Sequence, residues 1–241
     1  MKQPLVWAHR GASYDAPENT LEAFRLAWKM GADGIELDVH LSADGELVVA
    51  HDETVDRCSS GTGRIVDMTL AELKELDFSN HKPGYRGVKV PTLEEAYALV
   101  KPTGMTVNVE LKTGIVLYEG IEAKCASLAK AIGMQDRVFY SSFNHYSLLL
   151  MKEADKDARI APLYQEAMVS PWDYAVRIGA QAIHPFYPTM ATPGIMKHLE
   201  ETGVLCNPWT VDGEIQLAWM KQLGVNAVIT NRPDVAQKAF S

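Results

Sequence analysis

The 241-residue chain is 47% apolar and 22% charged, an ordinary balance for a globular protein, and its length suits one α/β barrel of roughly 250 residues. A net charge of −8 argues against a nucleic-acid surface, which needs clustered Lys and Arg, but leaves room for a small anionic substrate gripped locally. Three scattered cysteines (Cys58, Cys125, Cys206) form neither a disulfide framework nor a zinc motif, no apolar run approaches the ~18 residues of a membrane span, and polar residues begin at His9, where a signal peptide would be apolar. The expected compartment is the cytoplasm, without integral membrane association.

In chain order, the first strand is Leu5–His9. A helix follows, with Asn19 as its cap, Glu22 three residues on in a capping-box spacing, and Leu21, Phe24 and Trp28 on one face. The second barrel strand is Gly34–Val39. After a turn at Ser42–Glu46, Leu47–His51 reads as an extra strand leaving the barrel. The stretch from about 52 to 104 is too long for a single βα unit and reads as an insertion with a short helix at Leu70–Leu76 and loops at Ser59–Gly63 and His81–Gly87. It is too poor in apolar residues for a core of its own, so residues 1–241 read as one domain. Further strands fall at Thr106–Leu111, Val138–Ser142, Ile160–Leu163, Ala182–His184, Val204–Trp209 and Ala227–Thr230. Helical patterns alternate with them, at Leu93–Val100, Tyr118–Ala131, Tyr146–Ala154, Pro171–Ile178, Gly194–Glu201, Ile215–Leu223 and Asp234–Phe240. Alternating strands and helices imply parallel βαβ units. Eight of them imply a TIM (β/α)8 barrel with a small insertion after the second barrel strand, an open doubly wound sheet being the runner-up.

The chemistry gathers at strand ends. Glu36 and Asp38 are two residues apart on one strand and so share a face, while Ile35, Leu37 and Val39 take the other. Like charges that close require a cation or a proton between them. Glu110 repeats the arrangement on the next barrel strand, in Asn108-Val109-Glu110-Leu111-Lys112. Three converging carboxylates make an oxygen-ligand site for a divalent cation, Mg2+ or Ca2+, and the lack of clustered Cys or His argues against zinc. His9 and His51 can serve as general acid and base. Arg10 and Lys112 can clamp a phosphate, or pair with the three carboxylates, or do both.

His9-Arg10-Gly11, Pro17-Glu18-Asn19-Thr20, Glu36-Leu37-Asp38-Val39, Asp44-Gly45, His51-Asp52, Glu110-Leu111-Lys112, Ser141-Ser142-Phe143 and Trp209-Thr210-Val211 run in order along the chain. Together they resemble the signature of the glycerophosphodiester phosphodiesterases. The resemblance implies hydrolysis of small-molecule glycerophosphodiesters to sn-glycerol 3-phosphate and an alcohol, with metal ligands at Glu36, Asp38 and Glu110 and an acid/base pair at His9 and His51. It leaves open which histidine is the acid, and whether water or the substrate's 2-hydroxyl attacks. It also implies that the insertion helps cover the substrate site. A lysophospholipid phosphodiesterase and a non-catalytic phosphate-binding barrel are the rival readings; the first lacks an apolar docking segment, and the second should have lost a ligand or a histidine. Trp209 is expected to form an aromatic wall against glycerol, Phe143 and Phe186 an apolar rim, and His184 a structural role. Many members carry Thr-Asp-Arg-Pro after the last strand where this chain has Thr230-Asn231-Arg232-Pro233, a change expected to touch local loop contacts and not catalysis.

Overall fold

The structure is a computed structural model that describes residues 3–241. Its strands are β1 (Leu5–His9), β2 (Gly34–Leu41), β3 (Leu47–Val49), β4 (Thr106–Leu111), β5 (Val138–Ser142), β6 (Arg159–Tyr164), β7 (Ala182–Pro185), β8 (Leu205–Cys206) and β9 (Ala227–Thr230). All but β3 run parallel in the order β8-β7-β6-β5-β4-β2-β1-β9. Backbone bonds bridge the remaining seam: Asn226 N–H donates to Cys206 O at 2.9 Å, and Ile229 N–H to Pro208 O at 2.9 Å. The result is a nearly closed barrel. The expected strand Val204–Trp209 shrinks to Leu205–Cys206, because Pro208 offers no N–H to a ladder and Trp209 pairs only at a single bridge with Phe186.

The helices are α1 (Leu21–Lys29), α2 (Leu70–Glu75), α3 (Leu93–Val100), α4 (Ile121–Ile132), α5 (His145–Ala154), α6 (Pro171–Arg177), α7 (Ile195–Thr202), α8 (Glu214–Leu223) and α9 (Pro233–Phe240). All except α2 surround the barrel. The α1 cap is Thr20, whose hydroxyl accepts from Ala23 N–H; Asn19 is turned elsewhere. The buried stripe of α1 centres on Ala23, Phe24 and Ala27, which rotates Trp28 out to 53% exposure. None of the helices among the described residues is long and apolar enough to cross a membrane. Cys58, Cys125 and Cys206 are free thiols.

The alternation of β2 separates two apolar regions. Ile35, Leu37 and Val39 join the large core between sheet and helices. The barrel interior is filled by Trp7, Phe139, Ala161, Ala182, Ala227 and Ile229, with Trp7 and Phe139 centroids 5.5 Å apart. Gly34 is required there: a Cβ would lie 2.8 Å from the Trp7 indole and 2.8 Å from Thr106 O. This plug of side chains forms a floor beneath the mouth of the barrel.

The excursion after β2 differs from its expected form in four ways. β3 does not leave the barrel but pairs antiparallel with the overhanging end of β2, Val39 opposite Val49. It stops at Val49, so His51 stands beyond the strand. The segment also builds a small core, in which Val48, Val55, Ile65, Leu73, Phe78 and Val90 are buried together. These residues are too widely spaced to show as an apolar run, yet they hold the excursion over one side of the mouth. Leu93–Val100, counted within the expected insertion, belongs to the helix ring, since Leu93, Ala96, Tyr97 and Val100 join the large core.

Candidate active site

At the C-terminal mouth a cavity of about 190 Å³ is lined by His9, Arg10, Glu36, His51, Glu110 and Trp209, among others. The register explains the convergence: Glu36 pairs with Asn108 and Asp38 with Glu110, so the carboxylates of β2 and β4 rise from one sheet face at neighbouring heights. Glu36, Asp38 and Glu110 each bring a carboxylate oxygen into a group whose members all lie within 4.8 Å of one another, and all three residues are buried.

Lys112 and Arg10 also enter this group. Lys112 Nζ donates to Glu110 Oε1 at 2.9 Å and lies 3.7 Å from Asp38 Oδ1. Arg10 N–H donates to Glu36 Oε2 at 2.9 Å, and its Nε is 3.5 Å from Asp38 Oδ2. Burial pushes Asp38 upward, but Lys112 and Arg10 outweigh it and hold its carboxyl well below the usual range. Glu36 goes the other way, driven up by burial and then by the charges of Asp38 and Glu110. Glu110 is raised by burial and by Asp38. Glu36 Oε1 and Asp38 Oδ1 are buried with no hydrogen-bond partner. A buried carboxylate oxygen left unpaired is costly. The donor set therefore fits a hard divalent cation, which would pair with those oxygens and offset the like charges.

The histidines flank the cluster and are held differently. His9 Nδ1 is 2.7 Å from Asn231 Oδ1, with Nε2 3.9 Å from Glu36 Oε2. Burial, aided by the Arg10 charge, lowers its pKa to about 4, so the ring is neutral. His51 Nδ1 is 2.6 Å from Asp52 Oδ1. Asp52 is held by Arg57 through Nε at 2.7 Å and Nη2 at 3.0 Å. Arg57 also donates twice to Glu18, which takes a third bond from Arg10 Nη1 at 2.9 Å. His40 bonds the His51 carbonyl through Nε2 at 3.2 Å and Tyr118 Oη through Nδ1 at 3.0 Å, pinning the backbone behind the His51 ring.

Two expectations are overturned here. Asn19 is not the helix cap: at φ +56°, it donates from Nδ2 to Asp38 Oδ2 at 2.8 Å and accepts the Asp38 N–H at 3.3 Å. Gly11 makes that path possible, since a Cβ there would sit 2.6 Å from Ala23 Cβ. Asn231, set aside as a loop contact, touches His9 directly. Asp212, Arg57, Glu18 and His40 were not singled out as site residues, although Glu18 and Asn19 stand in a motif already noted. Trp209 lies between Phe143 and Phe186, centroids 5.4 and 5.5 Å away, as a wall of the mouth. Its indole N–H donates to His184 O at 2.8 Å. His184 is buried below, with burial lowering its pKa to about 3.

The fold and the mouth together define a TIM-barrel enzyme of the phosphoric diester hydrolases. The chain belongs to the glycerophosphoryl diester phosphodiesterase family, whose model matches residues 9–235. It is 46% identical over 232 residues to a glycerophosphodiester phosphodiesterase of Caldanaerobacter subterraneus, covering 95% of each chain. The crystal structure of a glycerophosphodiester phosphodiesterase from Agrobacterium tumefaciens superimposes with a TM-score of 0.87 at 31% identity, over 98% of this chain and 99% of that one. A phosphodiesterase from Oleispira antarctica, solved with the product sn-glycerol 3-phosphate, gives 0.88 at 30% identity, over 98% and 96%.

Proposed function

We propose that this chain hydrolyses glycerophosphodiesters to sn-glycerol 3-phosphate and an alcohol with the help of a divalent cation, Mg2+ or Ca2+, and that His9 and His51 move the protons. The observation that carries this reading is the buried trio Glu36, Asp38 and Glu110, oxygen donors all within 4.8 Å of one another. The product bound to the Oleispira relative supports the choice of product. A cation held by the trio would neutralise charge on a non-bridging phosphate oxygen.

The residues of the chain do the rest. Arg10 and Lys112 stand beside the carboxylates with N–H groups available to a phosphate, stabilising charge that grows as phosphorus is attacked. One histidine takes the proton of the attacking hydroxyl and the other gives a proton to the departing alkoxide. Trp209, backed by Phe143 and Phe186, forms an apolar wall for the glycerol carbons. The barrel and its excursion act as one unit, since His51 and Arg57 arrive from the excursion and His9 from the barrel. Three free thiols with no disulfide support a cytoplasmic setting.

The test is release of glycerol 3-phosphate from glycerophosphocholine, read by a coupled dehydrogenase assay. Turnover should vanish in EDTA and return with Mg2+ or Ca2+. Activity that persists after exhaustive chelation would remove the cation from the scheme.

A further inference from the structure

The two site histidines have different partners on Nδ1, and the His9 partner is itself fixed from behind. Asn231 Nδ2 donates to Asp212 Oδ2 at 2.7 Å, and Asn231 N–H donates to Asp212 Oδ1 at 2.8 Å. Thr230 Oγ1 adds a third bond to Asp212 Oδ1 at 3.0 Å. An ionised carboxylate accepts only, so Asp212 can face only the NH2 end of the Asn231 amide. The carbonyl end must then point the other way, towards His9. It is met there by Nδ1 at 2.7 Å and by Ser13 Oγ at 2.9 Å, a hydroxyl whose single proton is shared with His9 O at 2.7 Å.

A carbonyl oxygen beside an imidazole nitrogen accepts, so the ring must donate from Nδ1. We infer that Asn231, oriented by Asp212 and Ser13, is a positioning residue that holds His9 in the tautomer protonated on Nδ1, leaving Nε2 open to accept a proton and making His9 the base of the reaction. The inference rests on the proposed function for its kinetic meaning. His51 then has the complementary task. Asp52 occupies its Nδ1, so the proton it delivers leaves from Nε2. The attacking hydroxyl, of water or of the substrate glycerol, bonds phosphorus as its proton passes to His9 Nε2. The bond from phosphorus to the leaving oxygen breaks, and that oxygen takes the proton of His51.

The neutral amide matters as well as its direction. A carboxylate at this position would favour a charged His9 ring, whereas an amide fixes the tautomer without adding charge. Asp212 supplies the negative charge one step further away, where it orients the amide.

Three measurements test the inference. The first is the 15N spectrum of the purified, histidine-labelled protein, with the His9 signals identified by loss in His9→Gln. Protonated Nδ1 and bare Nε2 are expected in the wild type, with redistribution towards protonated Nε2 in Asn231→Leu. A wild-type His9 already protonated on Nε2 overturns the inference, and this readout holds even if glycerophosphodiesters prove not to be the substrate. The second is kinetic. Asn231→Leu should lose about 10²-fold in kcat while KM moves by less than about threefold. The loss should persist on the p-nitrophenyl ester of glycerol 3-phosphate, whose leaving group departs without a proton, whereas His51→Ala should recover on that ester. An Asn231→Leu defect that the activated ester repairs would make His9 the acid and overturn the assignment, as would unchanged kcat. The third guards against misfolding. The exchanged pair Asp212→Asn with Asn231→Asp keeps an acceptor on His9 Nδ1 and a hydrogen bond between positions 212 and 231, now donated from position 212, so the 15N spectrum of the folded pair should again show His9 protonated on Nδ1. A folded exchanged pair whose His9 is protonated on Nε2 alone also overturns it.

Discussion

Asn19 provides a sharp test, because two readings of it make opposite predictions. As a helix cap, Asn19→Asp would be neutral and Asn19→Gly would cost only a few tenths of a kcal/mol. In the structure it is a buried strut in the left-handed region, φ +56°, bonded to the Asp38 carboxylate at 2.8 Å and to the Asp38 N–H at 3.3 Å. A hydrogen bond to a charged group contributes about 1.5–3 kcal/mol. Asn19→Gly loses it and adds about 0.5–1 kcal/mol of unfolded-chain entropy, for a total of about 2–4 kcal/mol. Asn19→Ala loses the same bond and bears about 1–2 kcal/mol of left-handed backbone strain, for about 2.5–5 kcal/mol. Asn19→Asp should be worst, since it replaces the donor with a second carboxylate against Asp38 in a buried site. The assay is urea denaturation in EDTA, comparing midpoints at similar slopes. The order Asp, Ala, Gly from most to least damaging is expected. Wild-type stability for Asn19→Asp, with Gly within a few tenths, would restore the cap reading and refute this one.

Glu36 and Glu110 titrate above the usual carboxylate range, so below that raised value each carries a proton that must leave before a cation can be held. Divalent-cation binding should therefore release protons and tighten as pH rises, seen by calorimetry as heats that vary with buffer ionisation enthalpy; affinity independent of pH between about 5 and 8 would contradict this. Glu110→Gln, which removes a carboxylate charge from the trio at constant shape, should weaken that binding; unchanged affinity would take Glu110 out of the site. Arg57→Ala should lower kcat about tenfold by releasing Asp52 and thus His51, with little change in the urea midpoint, and unchanged kcat would remove Arg57 from the positioning of His51. Trp209→Ala should raise KM more than it lowers kcat if the indole packs on glycerol carbons; equal loss in kcat and kcat/KM would place its effect in the transition state instead.

The parts legible in the sequence were those governed by short periods. Glu36 and Asp38 share a face because strand side chains alternate, and Glu110 reaches the same layer because β4 follows β2 around the barrel. The barrel was legible for the same reason, as eight apolar runs separated by helical patterns. What escaped depends on contacts between distant segments. His9 and Asn231 are 222 positions apart, and no local rule joins them. Arg57 sits in a loop without periodicity. Asn19 and Thr20 are both good cap residues by composition; the choice falls to Thr20 because Asn19 N–H donates to Arg10 O at 2.9 Å, folding the loop back over β2. The small core of the excursion was missed because its residues, from Val48 to Val90, are spaced by loops rather than by a repeat.

The charges of the mouth show why these scattered residues belong to one device. Glu18, Asp38, Asp52 and Glu110 are joined through Arg10, Arg57 and Lys112 by ion pairs that connect the two histidines' surroundings, and Glu36 is tied in by the Arg10 backbone N–H. Five carboxylates face three permanent cations, a shortfall of two positive charges. Much of the network is buried, where an unpaired charge costs several kcal/mol. Burial and the neighbouring carboxylates drive Glu36 and Glu110 towards the protonated form, the direction that lessens this shortfall. A divalent cation would match the deficit in full and take the place of such protons. Arg10 and Lys112 would then not be the only balance for the carboxylates, and their remaining N–H groups would be free to turn to an incoming phosphate. On this account the guanidinium of Arg57, although it reaches neither the trio nor His9, matters for more than His51: it shares Glu18 with Arg10 and so helps fix Arg10 beside the trio.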